Sequence, residues 1–481
     1  MRLSRAAAAA EEAAGDAVVD GSVLKDALRA VRVELDVPDG FAADVLADAR
    51  RAVRDPHLPA TDWTDVDFVT IDPPGARDLD QAMHLERRGR GYRVRYAIAD
   101  VPAFVSPGSP VDDEARRRGQ TLYVPDRRVP LHPPVISEDA ASLLAGQVRP
   151  AFVWVLDLDD DAVTAEVDVV RAMVRSRAQL EYEGVQRDID AGRAPASLQL
   201  LPEVGKKRIE LERERGGSSL ATPDQEVVVH PDGFVLRLRP PVPVEDWNAQ
   251  ISLMTGMAAA QMMIEGRVGI LRTLPPPDDE TLRRFRRQAA ALGAQWPEGM
   301  AYGEFLRSLD PRDPQELALL HESASLFRGA AYTPVLGTVP EQAVQAAVAA
   351  PYAHVTAPLR RLVDRFGLVA CEALCRGVDV PGWVLEALPT LPHLMSESDR
   401  RAGALERASI DAAEAAVLAD RVGETFPAVV VDVGRERALV QVTSPPVLGQ
   451  CDGDLRLGAR VEVRLVEADP VKRTVRFTCA S

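Results

Sequence analysis

A chain of 481 residues exceeds what one ordinary core organises, so a large domain with one or two smaller modules is expected. Hydrophobic residues at 46% and charged residues at 27% are globular usage and exclude disorder over most of the length. The 57 basic and 73 acidic residues leave a net charge of −16, which weighs against a generic polyanion binder, because such affinity comes from lysine and arginine neutralising phosphates.

The four cysteines, Cys371, Cys375, Cys451 and Cys479, make no CxxC pair and have no histidine at zinc spacing, which favours a reduced, cytoplasmic protein. Cys371 and Cys375 stand four apart in an apolar run, on one helix face, and read as core. No apolar run approaches the roughly 20 residues of a membrane span, so no membrane partner is expected.

In chain order, MRLSRAAAAAEEAAGDA reads as a frayed tail or helix, because Glu11 and Glu12 interrupt it before an apolar signal core can form. Residues 20–55 carry helical spacing broken by Pro38 and Gly40, which predicts a short helical N-terminal module over residues 1–58. From Trp63 the pattern alternates, and VDFVTI, YRVRYAIADV and FVWVLDL predict strands of a mixed, mostly antiparallel sheet. Helical signals dominate over residues 175–215, 247–266, 278–292 and 315–328, which makes residues 59–392 an α+β domain. A connecting helix over residues 393–420 then leads into FPAVVVDVGRERALVQV and GARVEVRLVEADPVKRTVRF. These alternating segments, separated by Gly and Asp-Pro turns, predict an OB-type β-barrel over residues 421–481.

The chemistry concentrates in TIDPPGARDLDQAM, Thr70 to Met83. A strand ends at Asp72, Pro73-Pro74-Gly75 turns the chain, and Asp78 and Asp80 follow at i, i+2, which places them on one side of an extended backbone. Three converging carboxylates repel, so they imply a metal ion or a raised pKa. Hard divalent cations take oxygen ligands and supply both charge and activated water for phosphodiester hydrolysis. The chain contains its own control, because LDLDDDAV, Leu156 to Val163, repeats Asp-x-Asp where a hairpin turn is expected. Spacing alone therefore leaves the metal site and the turn both open.

Several ordered stretches extend the reading. The run from TIDPPGARDLDQAM through YAIADVPAFVSPGSPVDDEARRRGQTLYVPDRRVPLHPPVISEDAASL resembles the opening of the catalytic domain of the RNB, or ribonuclease II, exoribonucleases. RSRAQLEYEGVQ, SLMTGMAAAQMMIE, GILRTLPPPDDETL and YAHVTAPLRRLVD follow in the family's order, and the terminal barrel is similar to its RNA-binding OB domain. The resemblance implies an RNB fold enclosing an RNA channel, and hydrolysis of single-stranded RNA from the 3′ end to nucleoside 5′-monophosphates; a monomer is expected. It implies Mg²⁺ as cofactor, with Mn²⁺ as an alternative. It assigns Asp72, Asp78, Asp80 and Gln81 to the metal, and Asp80, Asp78 and Arg360 to the chemical step. Tyr123, Arg360, Arg361 and Glu406 fall to RNA binding. Arg360 lies in Ala357-Pro358-Leu359-Arg360, where a guanidinium stabilises phosphoryl charge through forked hydrogen bonds. Tyr123 in TLYVPDRRVP would stack on the terminal base without regard to sequence.

The chain departs from the family at Gln81, where aspartate is usual. A carbonyl oxygen can still meet Mg²⁺, but without the formal charge a weaker second metal position is expected. The alternative is an RNA-binding member of the family with weak or no nuclease activity. The arginine pairs Arg127-Arg128 and Arg360-Arg361 otherwise read as solvated faces, with Arg360 paired to Asp364 one turn on.

Overall fold

The computed structural model describes residues 18–19, 21–218, 224–230, 233–239, 241–310, 313–434, 436–442 and 444–480. The expected N-terminal tail lies outside the described residues, and the helices of the first module are Gly21–Glu34 and Ala43–Arg54. They serve different cores. Leu24, Leu28 and Val31 pack with the C-terminal barrel and its helix, whereas Val45 and Ala49 pack under the large sheet.

The sheet is built from Phe68–Ile71, Gln81–Arg88, Gly91–Ala99, Val148–Leu158 and Thr164–Leu180. The last of these is 17 residues long and pairs with three partners, one of them the short parallel strand Thr61–Asp62. Its first part runs antiparallel to Val148–Leu158, with Val148 opposite Arg175, and its last part runs parallel to Phe68–Ile71, with Phe68 opposite Ser176 and Ile71 opposite Leu180. The sheet is therefore mixed, and it curls back on itself. The helix expected from Arg175 begins instead at Tyr182. The residues Arg175–Leu180 include good helix formers, but the ladder to Phe68–Ile71 decides their conformation.

The inner face carries Tyr92, Tyr96, Phe152 and Trp154, all essentially buried. Against it lie the 24-residue helix Pro243–Gly266 and the helix Leu362–Cys375. Backbone approaches closely where the first of these meets the loop before the second: a Cβ on Gly256 would stand 2.2 Å from the Tyr352 ring and 2.7 Å from the Ala353 carbonyl. Only glycine seats that loop so deeply. Cys371 is buried in this core, while the half-buried Cys375 donates its thiol to Asp168 at 2.9 Å.

The hairpin expected at Leu156–Val163 forms. Asp159 Oδ1 accepts the backbone N–H groups of Asp161 at 3.0 Å and Val163 at 2.8 Å, while Asp157 stays in its strand and forks onto Arg93 at 2.7 and 2.8 Å. The helix Leu391–Leu418 leads to a closed barrel of five strands, Thr425–Val433, Ala438–Val442, Val447–Asp452, Arg460–Asp469 and Thr474–Cys479. Phe426 and Phe477 fill the barrel and share one core with Leu405, Ala412 and Ala416 of that helix. No described helix is long and apolar enough to cross a membrane.

Candidate active site

The segment between Asp72 and Gln81 has no ladder of its own, so its backbone is held from outside. Asp72 N donates to Leu180 O at 2.9 Å, and the Pro73 to Ala76 turn closes with Ala76 N on Pro73 O at 3.2 Å and a left-handed Gly75. Leu79 N donates to Ser142 Oγ at 2.9 Å, and Leu79 O accepts from Leu143 N at 3.0 Å. The Leu79 side chain is fully buried in the core under the sheet. With Leu79 pinned inward, Asp78 and Asp80 are presented on the opposite side.

There they meet a loop from far along the chain. Asp80 Oδ1 accepts the backbone N–H of Leu359 at 2.7 Å, and Asp80 Oδ2 lies 3.7 Å from Arg360 Nε. Only 5% of Asp80 is exposed, and burial pushes its carboxyl well above the usual carboxylate range, opposed by Arg360 and the Leu359 N–H and reinforced by Asp78. Asp72 is lifted to about 7, chiefly by burial and further by the charge of Asp78. Burial also raises Asp78, against the pull of Arg128.

Arg128 was not among the expected site residues. Its Nη1 donates to Asp78 Oδ1, and its Nη2 lies 2.7 Å from Glu138 Oε1, so the guanidinium bridges two carboxylates. It comes to the site because Leu122–Val124 and Arg127–Val129 form a small hairpin in which Tyr123 faces Arg128 directly. Tyr123 keeps 45% of its surface exposed, within electrostatic reach of Asp78, Asp80 and Arg360. An exposed ring beside these charges suits stacking on a base.

Other expected residues are placed differently. Arg361, not Arg360, makes the ion pair with Asp364, through two hydrogen bonds of 2.8 and 2.9 Å; its fork is committed to the fold rather than presented to RNA. Arg360 keeps 37% of its side chain exposed. Glu406 lines a cleft of about 690 Å³ between the Leu391–Leu418 helix and the barrel, with Arg407, Arg473 and Arg476, and none of Asp72, Asp78 and Asp80 borders that cleft. Gln81 is occupied at both ends: Nε2 donates to Thr356 O at 2.6 Å, and Oε1 accepts the Tyr96 hydroxyl at 2.8 Å. The carbonyl expected to meet a metal is therefore already hydrogen-bonded.

The fit of a divalent cation can be judged from these contacts. Asp72 Oδ2 is buried with no hydrogen-bond partner, and an orphaned hard oxygen beside Asp78, itself near Asp80, suits Mg²⁺. Among the described residues, however, no three His, Cys, Asp or Glu side chains close around one point, because Asp78 is turned to Arg128. Asp72 and Asp80 each lie within electrostatic reach of Asp78 and Arg360, and Asp78 would join a cation there only by leaving Arg128.

The RNB domain matches residues 60–367, and the RNase II-type exonuclease C-terminal S1 domain matches residues 424–480. The chain belongs to the RNB family of exoribonucleases. Ribonuclease R of Escherichia coli is 26% identical over an alignment of 532 residues that covers 100% of this chain and 65% of that protein, so the chain spans just under two thirds of its relative. The structure of Mycoplasma genitalium RNase R in complex with ribose methylated single-stranded RNA superposes with a TM-score of 0.84 at 17% identity, covering 95% of this chain and 78% of the other. Yeast Ssd1, described as a pseudonuclease, gives 0.68 at 17% identity over 86% of this chain and 55% of its own. The shared fold thus accompanies both ribonuclease and pseudonuclease relatives.

Proposed function

We propose that the chain is a hydrolytic 3′-to-5′ exoribonuclease that degrades single-stranded RNA to nucleoside 5′-monophosphates with Mg²⁺. The observation that carries this is the meeting of Asp80 with the Leu359–Arg360 turn beside the orphaned oxygen of Asp72. A buried carboxylate oxygen without a partner is costly, and a cation held beside it would relieve that cost.

Asp72 and Asp80 would hold the metal, which when bound supplies positive charge against the phosphate and an activated water. Everything else is work for the chain's own groups. The Leu359 N–H fixes the Asp80 carboxylate and leaves Oδ2 turned toward Arg360. Arg360 presents its fork to the scissile phosphate and stabilises the charge that grows there. Tyr123 stacks on the 3′-terminal base, and because every base offers a π-face the grip is indifferent to sequence.

A second reading is an RNA-binding protein with little turnover. It is favoured by the commitment of Asp78 to Arg128 and of Gln81 to Thr356 and Tyr96. Digestion of 5′-labelled single-stranded RNA with and without Mg²⁺ separates the two. The nuclease reading expects a ladder shortening from the 3′ end, nucleoside 5′-monophosphates as product, and loss of both in chelator and in Asp80→Asn with RNA binding retained. Binding without mononucleotide release in excess Mg²⁺ or Mn²⁺ would establish the second reading instead.

A further inference from the structure

We infer that Gln81 is a positioning residue: its carboxamide is a strut that holds the Thr356–Arg360 loop, and with it Arg360, against Asp80. The structural part of the inference stands on geometry alone, and its consequence for turnover rests on the exoribonuclease reading.

The orientation of the amide is determined by its partners. Thr356 O can only accept, so the group 2.6 Å from it must be the nitrogen, and Oε1 then faces the Tyr96 hydroxyl at 2.8 Å. Thr356 is itself buried, and its hydroxyl lies 2.9 Å from Ser252 Oγ on the long helix. The chain from Tyr96 through Gln81 to Thr356 and Ser252 thus joins the sheet, the loop and the helix wall. In a buried network of this kind each member orients the next.

Several bonds hold the loop, Thr121 N to Arg360 O at 2.9 Å among them, and three carry the side chains of interest. Gln81 takes Thr356 O, Asp364 Oδ1 accepts Ala357 N at 2.7 Å, and Asp80 Oδ1 accepts Leu359 N at 2.7 Å. Two of the three come from consecutive residues, so one short stretch of backbone both presents the Asp80 carboxylate and grips the loop that brings Arg360 to it. Between these points the loop turns tightly, with Arg360 N on Ala357 O at 3.2 Å and Arg361 N on the same oxygen at 2.9 Å. Release of Thr356 would loosen the turn four residues from the guanidinium.

An aspartate cannot do this work. It lacks the donor, and it is one methylene shorter, so a carboxylate at residue 81 would set acceptor against acceptor at the Thr356 carbonyl. Gln81 is then more than an aspartate short of a charge, and restoring the charge should harm the enzyme.

The test measures the loop and the chemistry separately, on the full chain. Gln81→Asp and Gln81→Glu should raise amide hydrogen exchange in peptides covering residues 355–361 by about tenfold, whereas Tyr96→Phe, which leaves the donor but not its orientation, should give a smaller rise. In RNA digestion both Gln81 variants should lower kcat by roughly 10- to 100-fold with KM little changed, and Mn²⁺ affinity should not tighten. Unchanged exchange over residues 355–361 in Gln81→Asp and Gln81→Glu overturns the strut. So does a Gln81→Asp enzyme that binds Mn²⁺ more tightly and turns over faster, because that is the behaviour of a missing ligand restored. Wild-type protein that releases no mononucleotides defeats the nuclease reading and leaves the exchange data to decide the strut.

Discussion

The chain contains Asp-Leu-Asp twice, at Asp78 to Asp80 and at Asp157 to Asp159, and the two runs end in different chemistry. Both leucines are buried. In the second run Asp159 is satisfied by the turn it caps, and Asp157 by the fork of Arg93, 64 residues back on the paired strand of the same sheet. In the first run the partners are Arg128 and the Leu359–Arg360 turn, 50 and 279 residues away along the chain. Burial lifts the carboxyl groups of that run upward, and it is their long-range partners that keep them compatible with charge. An acidic doublet held by its own hairpin turn and its own sheet stays structural; the one that meets the Leu359–Arg360 turn, 279 residues on, becomes a candidate active site.

The sharpest way to break the contrast is to take away the distant partner. Arg360→Ala should lower kcat by roughly 10²- to 10³-fold, the usual loss for one donor aimed at developing charge, in a single-turnover assay with RNA at saturation. Tyr123→Ala should weaken binding of a short single strand by roughly 1–3 kcal/mol, with the same loss for each 3′-terminal base, measured by fluorescence titration. A base-selective loss would mean that the exposed ring is not a general stacking platform.

The third prediction concerns the support behind the first run. His132 is buried against the Pro358 carbonyl and near Arg365, and burial holds it down to about 3. The unfolded chain takes up its proton near pH 6.5, and the folded chain does not until far lower. Its contribution to stability is therefore present above pH 6.5 and is lost as pH falls toward 3, by about 1.4 kcal/mol per pH unit while only the unfolded form is protonated. The raised aspartates push the other way, so the quantity to measure is the difference between wild type and His132→Gln in denaturant melts across that window. The variant should flatten the acid limb. The smallest effect belongs to the second run: Asp159→Ala should cost about 1 kcal/mol of stability through the lost turn hydrogen bonds, and leave RNA turnover at the wild-type level.

Much of this was legible along the chain. The strands around the acidic run, the terminal barrel and the long connecting helix follow from periodicity, and Asp72, Asp78, Asp80, Tyr123 and Arg360 follow from a family resemblance that the domain matches support. What stayed hidden depends on register or on contacts across the fold. Arg128 looks like half of a solvated pair until the hairpin register sets it opposite Tyr123. Gln81 looks like a weakened ligand until Thr356, 275 residues on, takes its amide. The strand Arg175–Leu180 reads as helix because local propensity cannot anticipate a parallel partner from residues 68–71. The position of Glu406 was hidden for the same kind of reason: nothing local tells which face of a long helix meets the barrel and which meets the acidic run.

The bond from Leu359 to Asp80 also has a bearing on synthesis. All three aspartates leave the ribosome long before the residues that complete their site, and the sheet strand Thr164–Leu180, the helix Pro243–Gly266 and the loop at Thr356 must all follow. A growing chain of 300 residues therefore displays an acidic loop with no arginine turn beside it. The acidic loop and the arginine turn meet only after that strand, that helix and residues 356–360 have all been made.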